Sequence, residues 1–489
     1  MPWFNGGNAL IRKLFAATAG AAVALCATAS VLAASPPPPA ADAGEQAFRE
    51  TYKELVETNT TVSSGSCTLA AERMAARLRA AGFADSQLTL FSTPEHPKDG
   101  GLVAILPGSA KKLKPMLLLA HLDVVEARRE DWTRDPFKLI EEDGYFYGRG
   151  TVDDKAQAAI WTDIMVRFAQ EGFKPKRTIK LALTCGEETS GAFNGAEWLA
   201  KNRRELIDAG FALNEGGGGR TNGTPISKGG KLEGLSFQVG EKAYQDFTLT
   251  ATNPGGHSSQ PVRENAIYEL SEGLLKIRDY QFPVEFNDTT RAFFTRIGTL
   301  RGDAVGKAMI AIAANPSDTA ALSIVQKDKM LASMLRTSCV ATLVDAGHAL
   351  NALPQRATAN VNCRMFPGRT TAETQAALVQ AMGDPGITIE PRVKDKPIAK
   401  SPPLDPAIVG PVEKVAAKYF PGVTVVPTML TGATDGVYMG AVGIPTYGVP
   451  GVWLDPDGNG LHGLNERVEV KSLMTGRAYL TELVRTLAQ

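Results

Sequence analysis

The spacing of apolar positions changes character along the chain. EQAFRETYKELVETNT and TLAAERMAARLRAAGF repeat apolar residues at helical intervals. SQLTLFST, GLVAILPG and PMLLLAHLDVV then read as strands, and FKLIEEDGYFYGRG reads as a hairpin turning on Asp143-Gly144. DDKAQAAIWTDIMVRFAQEGF predicts a helix, RTIKLALTCGEE a strand, NGAEWLAKNRREL a helix, and GFALNEGGGG a strand that runs into a glycine loop. Strands alternating with helices imply βαβ units and a largely parallel sheet.

After Gly230 the pattern is different. LSFQVGEKAYQDFTLTATN is long and alternating, ENAIYELSEGLLKIRDY is helical, and CVATLVDAG, RATANVNCRMFPG and ITIEPRV read as strands around the helix TTAETQAALVQAM. The stretch from about 280 to 335 yields no clear assignment. Beyond SPPLDPA, βα character returns through TVVPTML, IPTYGVP and a closing helix from Lys471. The expected fold is α/β: a mostly parallel sheet flanked by helices, in two parts at 45–234 and 396–489, interrupted by a smaller α+β unit at 235–395.

At 489 residues the chain exceeds what one core usually organises, in keeping with two domains. Lys and Arg balance Asp and Glu at 52 each, so charge offers no support for a nucleic-acid partner. Arg12 and Lys13 precede an uncharged, Ala-rich run that closes on small residues at Val31 and Ala33. That is the form of a secretory signal over 1–34, followed by a proline-rich linker at 35–44, and it points to export into a periplasm or medium. Retention of the run as an anchor is the alternative, and no later stretch is long and apolar enough to span a membrane. Cys67, Cys185, Cys339 and Cys363 remain after the signal, widely spaced; disulfides and free thiols are both open.

The chemistry gathers where predicted strands end. His121 and Asp123 close one strand, Glu187 and Glu188 another, and Glu215 a third, while Asp153 stands at a helix start. In an open α/β sheet, ligands bind beyond the carboxyl ends of the strands. Crowded carboxylates repel unless a cation lies among them, and imidazole with carboxylate suits zinc. Asp153, Glu188 and Glu215 with one hydroxide balance two divalent ions.

Taken in order, AHLDVV, YGRGTVDDKAQ, TCGEETSG, LNEGG, GGHSSQP, ALNALPQRATANVNCRMFPG, TGATDG and GLHGLNERV resemble the M20 family of zinc metallopeptidases and aminoacylases across nearly all of the mature chain. The resemblance implies two zinc ions per chain, with cobalt able to substitute. His121 would bind one, His462 the other, and Asp153 both, with Glu188 and Glu215 completing the two sets. Asp123 would orient His121, and Glu187 would act as the general base. A cis peptide bond is expected between Asp153 and Asp154. Ala156 and Gln157 stand where the family usually carries glycine, which removes no ligand.

By the same resemblance the smaller unit is a lid, through which a homodimer is expected; a monomer in which a larger lid does the same work is the alternative. His257 would donate to the developing oxyanion, and Arg364 and Asn351 would hold the substrate's carboxylate and polar backbone. The implied activity is cleavage of an amide beside a free carboxylate, in the manner of a carboxypeptidase or dipeptidase. The alternative is an N-acyl amino acid amidohydrolase, and a non-catalytic binding protein of the same fold is more remote because every expected group is present.

Overall fold

The computed structural model describes residues 44–489 apart from Ser190 and Asp395. The expected signal over 1–34 and nearly all of the linker at 35–44 lie outside the described residues.

Among them is a ten-stranded mixed sheet whose middle is parallel. There Ile179–Thr184, Met116–His121, Phe211–Asn214 and Thr446–Gly448 lie side by side in one direction. Antiparallel strands Leu88–Thr93 and His96–Leu106 finish one edge. Met116–His121 and Ile179–Thr184 are buried at every position, as strands covered on both faces must be. Alternate residues serve opposite layers. Met116, Leu118 and Ala120 pack with helices Glu45–Glu57, Cys67–Ala80, Lys155–Gln170 and Val470–Leu487. Leu117 and Leu119 pack with helix Gly195–Asn202 on the other side. This is the helix-flanked, mostly parallel sheet that the alternating pattern predicts.

The long alternating run after Gly230 is two strands. Leu232–Glu241 pairs within the large sheet, and Ala243–Thr252 enters a four-stranded antiparallel sheet with Arg356–Met365, Ser338–Ala346 and Ile387–Pro391. Its strict period-2 burial puts Phe247, Leu249 and Val361 against helices Ala266–Asp279 and Thr371–Met382.

The unassigned stretch is helical. Asp288–Arg301, Ala304–Ala314, Thr319–Val325 and Lys329–Met334 follow one another, each opened by an Asn or Asp whose side chain accepts a backbone N–H of the first turn. They share a core with Val426 and Met429 of strand Val425–Leu430, so this segment packs on the large sheet. No described helix is long and apolar enough to cross a membrane.

The four cysteines form two disulfides. Cys67 on helix Cys67–Ala80 joins Cys185 just beyond strand Ile179–Thr184, and Cys339 joins Cys363 directly across two neighbouring strands of the small sheet.

Candidate metal centre

Because three neighbouring strands run in parallel, their carboxyl ends deliver side chains to one edge. His121 is the last residue of its strand, Glu187 and Glu188 follow the second, and Glu215 follows the third. Between Cys185 and Glu187 the chain turns on Gly186 at φ 95°, where a Cβ would sit 1.8 Å from the Phe193 carbonyl oxygen. Only glycine accommodates that turn. Asp153 arrives from the loop before helix Lys155–Gln170, and its peptide bond to Asp154 is cis. His462 comes from a loop more than three hundred residues later, with |i−j| of 309 to Asp153.

Asp153 stands between the two imidazoles. Its Oδ1 lies 3.1 Å from His121 Nε2, and its Oδ2 lies 3.1 Å from His462 Nε2. Glu215 Oε1 lies 3.8 Å from His121 Nε2, whereas Glu188 Oε2 lies 3.0 Å from His462 Nε2. Each imidazole therefore has its own glutamate and one oxygen of the shared aspartate. On the far side of His121, Nδ1 lies 3.0 Å from the Asp123 backbone carbonyl and 3.6 Å from the Asp123 carboxylate. The Asp123 carboxylate instead accepts the Glu188 backbone N–H at 3.0 Å. Asp123 thus touches both the imidazole and the backbone of the glutamate pair.

The cluster is electrostatically incomplete without a cation. Among the described residues, no lysine or arginine forms an ion pair with Asp153, Glu187, Glu188 or Glu215. Glu215 Oε1, Asp123 Oδ1 and Asp154 Oδ2 are buried with no hydrogen-bond partner. Burial pushes the Glu187 carboxyl up to about 10, with Glu215, Asp435 and Glu188 adding to the rise and His121 opposing it. Burial likewise raises Glu215, and there too His121 works against the rise. His121 is itself raised: burial opposes its charged form, but the Glu215 charge and the contacts to Asp123, Asp153 and Glu215 prevail. Unpaired buried oxygens around two imidazoles are what a divalent cation satisfies. Nitrogen and oxygen donors from His121, Asp153 and Glu188, and from His121, Glu187 and Glu215, converge within 4.8 Å of one another. The donor set fits zinc. The third acidic group with two cysteines, Cys67–Asp123–Cys185, has its thiols consumed by the disulfide.

Two residues not singled out from sequence hold the centre in shape. Glu466, fully buried, accepts Gly150 N at 2.9 Å, Val152 N at 2.8 Å and Asp153 N at 3.1 Å. It also accepts Arg149 Nη1 at 2.7 Å, and Arg149 Nη2 donates to the Gly463 carbonyl at 2.7 Å. One buried ion pair thereby ties the Asp153 loop to the His462 loop. Both residues lie inside quoted motifs, GRGTVDD and GLHGLNERV, but neither is next to its partner in sequence. Asp435, from TGATDG, is a third such residue: it is buried, with Thr184 Oγ1 and Asn194 Nδ2 donating to it.

The three lid residues stand apart from this cluster. His257 and Asn351 meet in a short ribbon, where Ser258 N donates to the Asn351 carbonyl and the exposed His257 accepts Ser259 N at its Nδ1. Arg364 stacks 4.6 Å over the Tyr244 ring of the small sheet. Among the described residues, no hydrogen bond or ion pair joins His257, Asn351 or Arg364 to His121, Asp153, Glu188, Glu215 or His462.

Imidazoles that share a carboxylate, at the carboxyl edge of a parallel sheet, hold divalent metal for hydrolysis, and fold and site together define a metal-dependent hydrolase. The chain belongs to peptidase family M20/M25/M40, whose profile matches residues 117–486. N-fatty-acyl-amino acid synthase/hydrolase PM20D1 of Homo sapiens is 28% identical over 386 residues, covering 78% of this chain and 75% of that protein. Probable carboxypeptidase S-like 2 of Dictyostelium discoideum is 28% identical over 382 residues, covering 75% of this chain and 70% of that protein. The M20 family metallo-carboxypeptidase Sso-CP2 from Sulfolobus solfataricus shares the fold, with a TM-score of 0.65 at 18% identity over 90% of this chain and 99% of that one.

Proposed function

We propose that the chain is an exported two-zinc hydrolase that cleaves an amide beside a free carboxylate. The observation that carries this reading is the division of Asp153, one oxygen toward His121 and the other toward His462. His121 with Glu215 and His462 with Glu188 would each hold one ion, sharing Asp153. Bound there, the ions supply polarisation of the carbonyl and lower the pKa of a water to about 7. Glu187, on the cavity wall beside the cluster, takes the proton from the attacking water and passes it to the leaving amine. Asp123 keeps the His121 ring and the Glu188 backbone in place. Arg364 offers a planar fork to the substrate carboxylate, with Asn351 beside the substrate backbone. Carboxypeptidase or dipeptidase action fits this arrangement, and so does N-acyl amino acid hydrolysis; the two relatives above carry names of both kinds.

Metal analysis with a hydrolysis screen tests it. The purified protein is expected to carry close to two zinc per chain, to lose activity on chelation and to regain it with zinc or cobalt. A reproducible value of one at full activity would sink the shared role of Asp153, and no turnover of any dipeptide or N-acyl amino acid would sink the reaction class.

Export is supported by the two disulfides, which persist in oxidising compartments. A homodimer through the lid is supported by strand Ser338–Ala346. It forms an edge of the small sheet, almost wholly exposed, with Val340, Leu343 and Val344 facing solvent. In that dimer His257 acts on the partner's site, in keeping with the lack, among the described residues, of any hydrogen bond or ion pair from it to the cluster of its own chain. Mixing His257→Ala and Glu187→Ala proteins is then expected to restore activity, because a heterodimer holds one site with both native groups. Subunit exchange without recovery would place His257 in its own chain's site.

A further inference from the structure

The small sheet has one apolar face and one polar face. Along Ala243–Thr252 and Arg356–Met365 burial alternates strictly. Phe247, Leu249, Val361 and Cys363 pack on the helix side, while Tyr244, Asp246, Asn362 and Arg364 stand on the opposite, half-buried face. Strand register puts Tyr244 directly beside Arg364. Arg364 Cζ lies 4.6 Å from the Tyr244 ring centroid. Lys396, from the connection after strand Ile387–Pro391, places its Nζ 3.7 Å from the same centroid. Two cations from separate parts of the chain therefore share one aromatic ring.

The pair lacks a counter-ion among the described residues, where neither Arg364 nor Lys396 makes an ion pair or a side-chain hydrogen bond. Asp246 is an acidic neighbour, but its oxygens accept the Tyr244 hydroxyl and the side-chain amides of Asn360 at 2.9 Å and Asn362 at 3.0 Å. Glu197, on helix Gly195–Asn202 beside the large sheet, is close enough to favour the Lys396 charge, but Lys201 holds it at 2.7 Å. Burial pushes the Lys396 ammonium down to about 8; Asp246 and Glu197 oppose the fall, and the Arg364 charge adds to it. An anion bridging two such like charges stabilises both. The pair also stands toward the catalytic edge. The helix that carries Glu197 is capped by Asn194, whose Nδ2 donates to the Gly186 carbonyl at 3.1 Å, one residue before Glu187.

Resting on the reading of Arg364 as the holder of the substrate carboxylate, we propose that Lys396 holds a second carboxylate, and that the residue released from the amide is acidic, aspartate or glutamate. Its α-carboxylate lies on the guanidinium fork and its side-chain carboxylate on the ammonium. The fork fixes one carboxylate through two parallel N–H donors, whereas the ammonium's three donors accept a more mobile group at the end of a flexible side chain. In the reaction the C–N bond breaks, the water's OH joins the carbonyl carbon and its proton goes to the amine, which departs as the acidic amino acid. Lys396 selects the substrate and takes no part in the bond change.

Two matched pairs test it with the zinc-loaded protein: N-acetylglutamate against N-acetylglutamine, and alanylglutamate against alanylglutamine. The members of a pair differ by one charge at nearly equal shape. kcat/KM is expected to favour glutamate by about ten- to hundredfold, the range for a hydrogen bond to a charged group. Lys396→Gln should bring that ratio close to one, and Lys396→Arg should restore most of it. The ratio is internal to each protein, so a general loss of activity cancels. Should Lys396→Gln fail to fold, Lys396→Met, which keeps an aliphatic stem over the Tyr244 ring, makes the same comparison. No preference for glutamate in the native protein, or an unchanged ratio in the folded variant, overturns the proposal. Arg364→Gln should lower kcat/KM for both members of a pair, so failure of the Arg364 reading shows separately. If no amide is hydrolysed, the reading of the site as a hydrolase fails, and calorimetry with N-acetylglutamate and N-acetylglutamine on the native and Lys396→Gln proteins still decides the role of Lys396. Tighter glutamate binding that the substitution abolishes supports it, and equal binding of the two rejects it.

Discussion

Glu187→Gln is expected to lower kcat by about 10²–10⁴-fold, the range for a lost general base, while zinc stays bound at near-native stoichiometry. The substitution keeps the shape of the side chain and removes only its basicity. Glu187 makes no direct contact with either imidazole comparable to that of its neighbour, whose Oε2 lies 3.0 Å from His462 Nε2. Glu188→Gln is therefore expected to behave differently. It should weaken one ion and, because the metal binds only the folded state, lower Tm when zinc is limiting. Zinc content and kcat measured on the two proteins side by side separate the roles. If Glu187→Gln sheds metal while Glu188→Gln keeps both ions, the two assignments are reversed.

Breaking the Arg149–Glu466 pair should cost about 3–5 kcal/mol of stability, as removal of one partner from a buried ion pair does. Arg149 is 2% exposed and Glu466 0%, so Glu466→Ala strands a guanidinium in the interior. It also leaves the N–H groups of Gly150, Val152 and Asp153 without their acceptor. Replacing both residues with methionine is expected to recover much of the lost Tm, since a packed apolar pair often equals a buried ion pair. Metal affinity should not recover with it, because the loop carrying Asp153 still lacks the carboxylate that holds its backbone. Thermal melts and zinc titrations of the single and double variants give the comparison. Full recovery of zinc affinity in the double variant would reduce the pair to a packing role.

Much of the site was legible because strand-end chemistry leaves a local mark. An apolar run that stops on His121, on Glu187-Glu188 or on Glu215 announces both a strand and a reactive end. Ordered motifs then supply the family. The helices between Asp288 and Met334 were hidden for an equally local reason. Thr319–Val325 and Lys329–Met334 are short, at 7 and 6 residues, and Ala304–Ala314 is apolar on most of its faces, so periodicity alone separates neither helix from strand nor inside from outside. Their Asn and Asp caps were the usable signal.

What the sequence by itself determined is the identity of the elements and the residues standing at their ends, because side-chain periodicity and backbone preference act over a few neighbouring positions. Only the tertiary structure decided which distant residues meet. Arg149 and Glu466 are 317 positions apart, and Cys67 and Cys185 are 118 apart. Such pairings depend on strand order and on how loops leave the sheet, and no short-range pattern encodes either. The same holds for the cavity. Its apolar wall becomes a wall only when the helical stretch folds back on strand Val425–Leu430 and leaves a cavity beside the candidate metal centre.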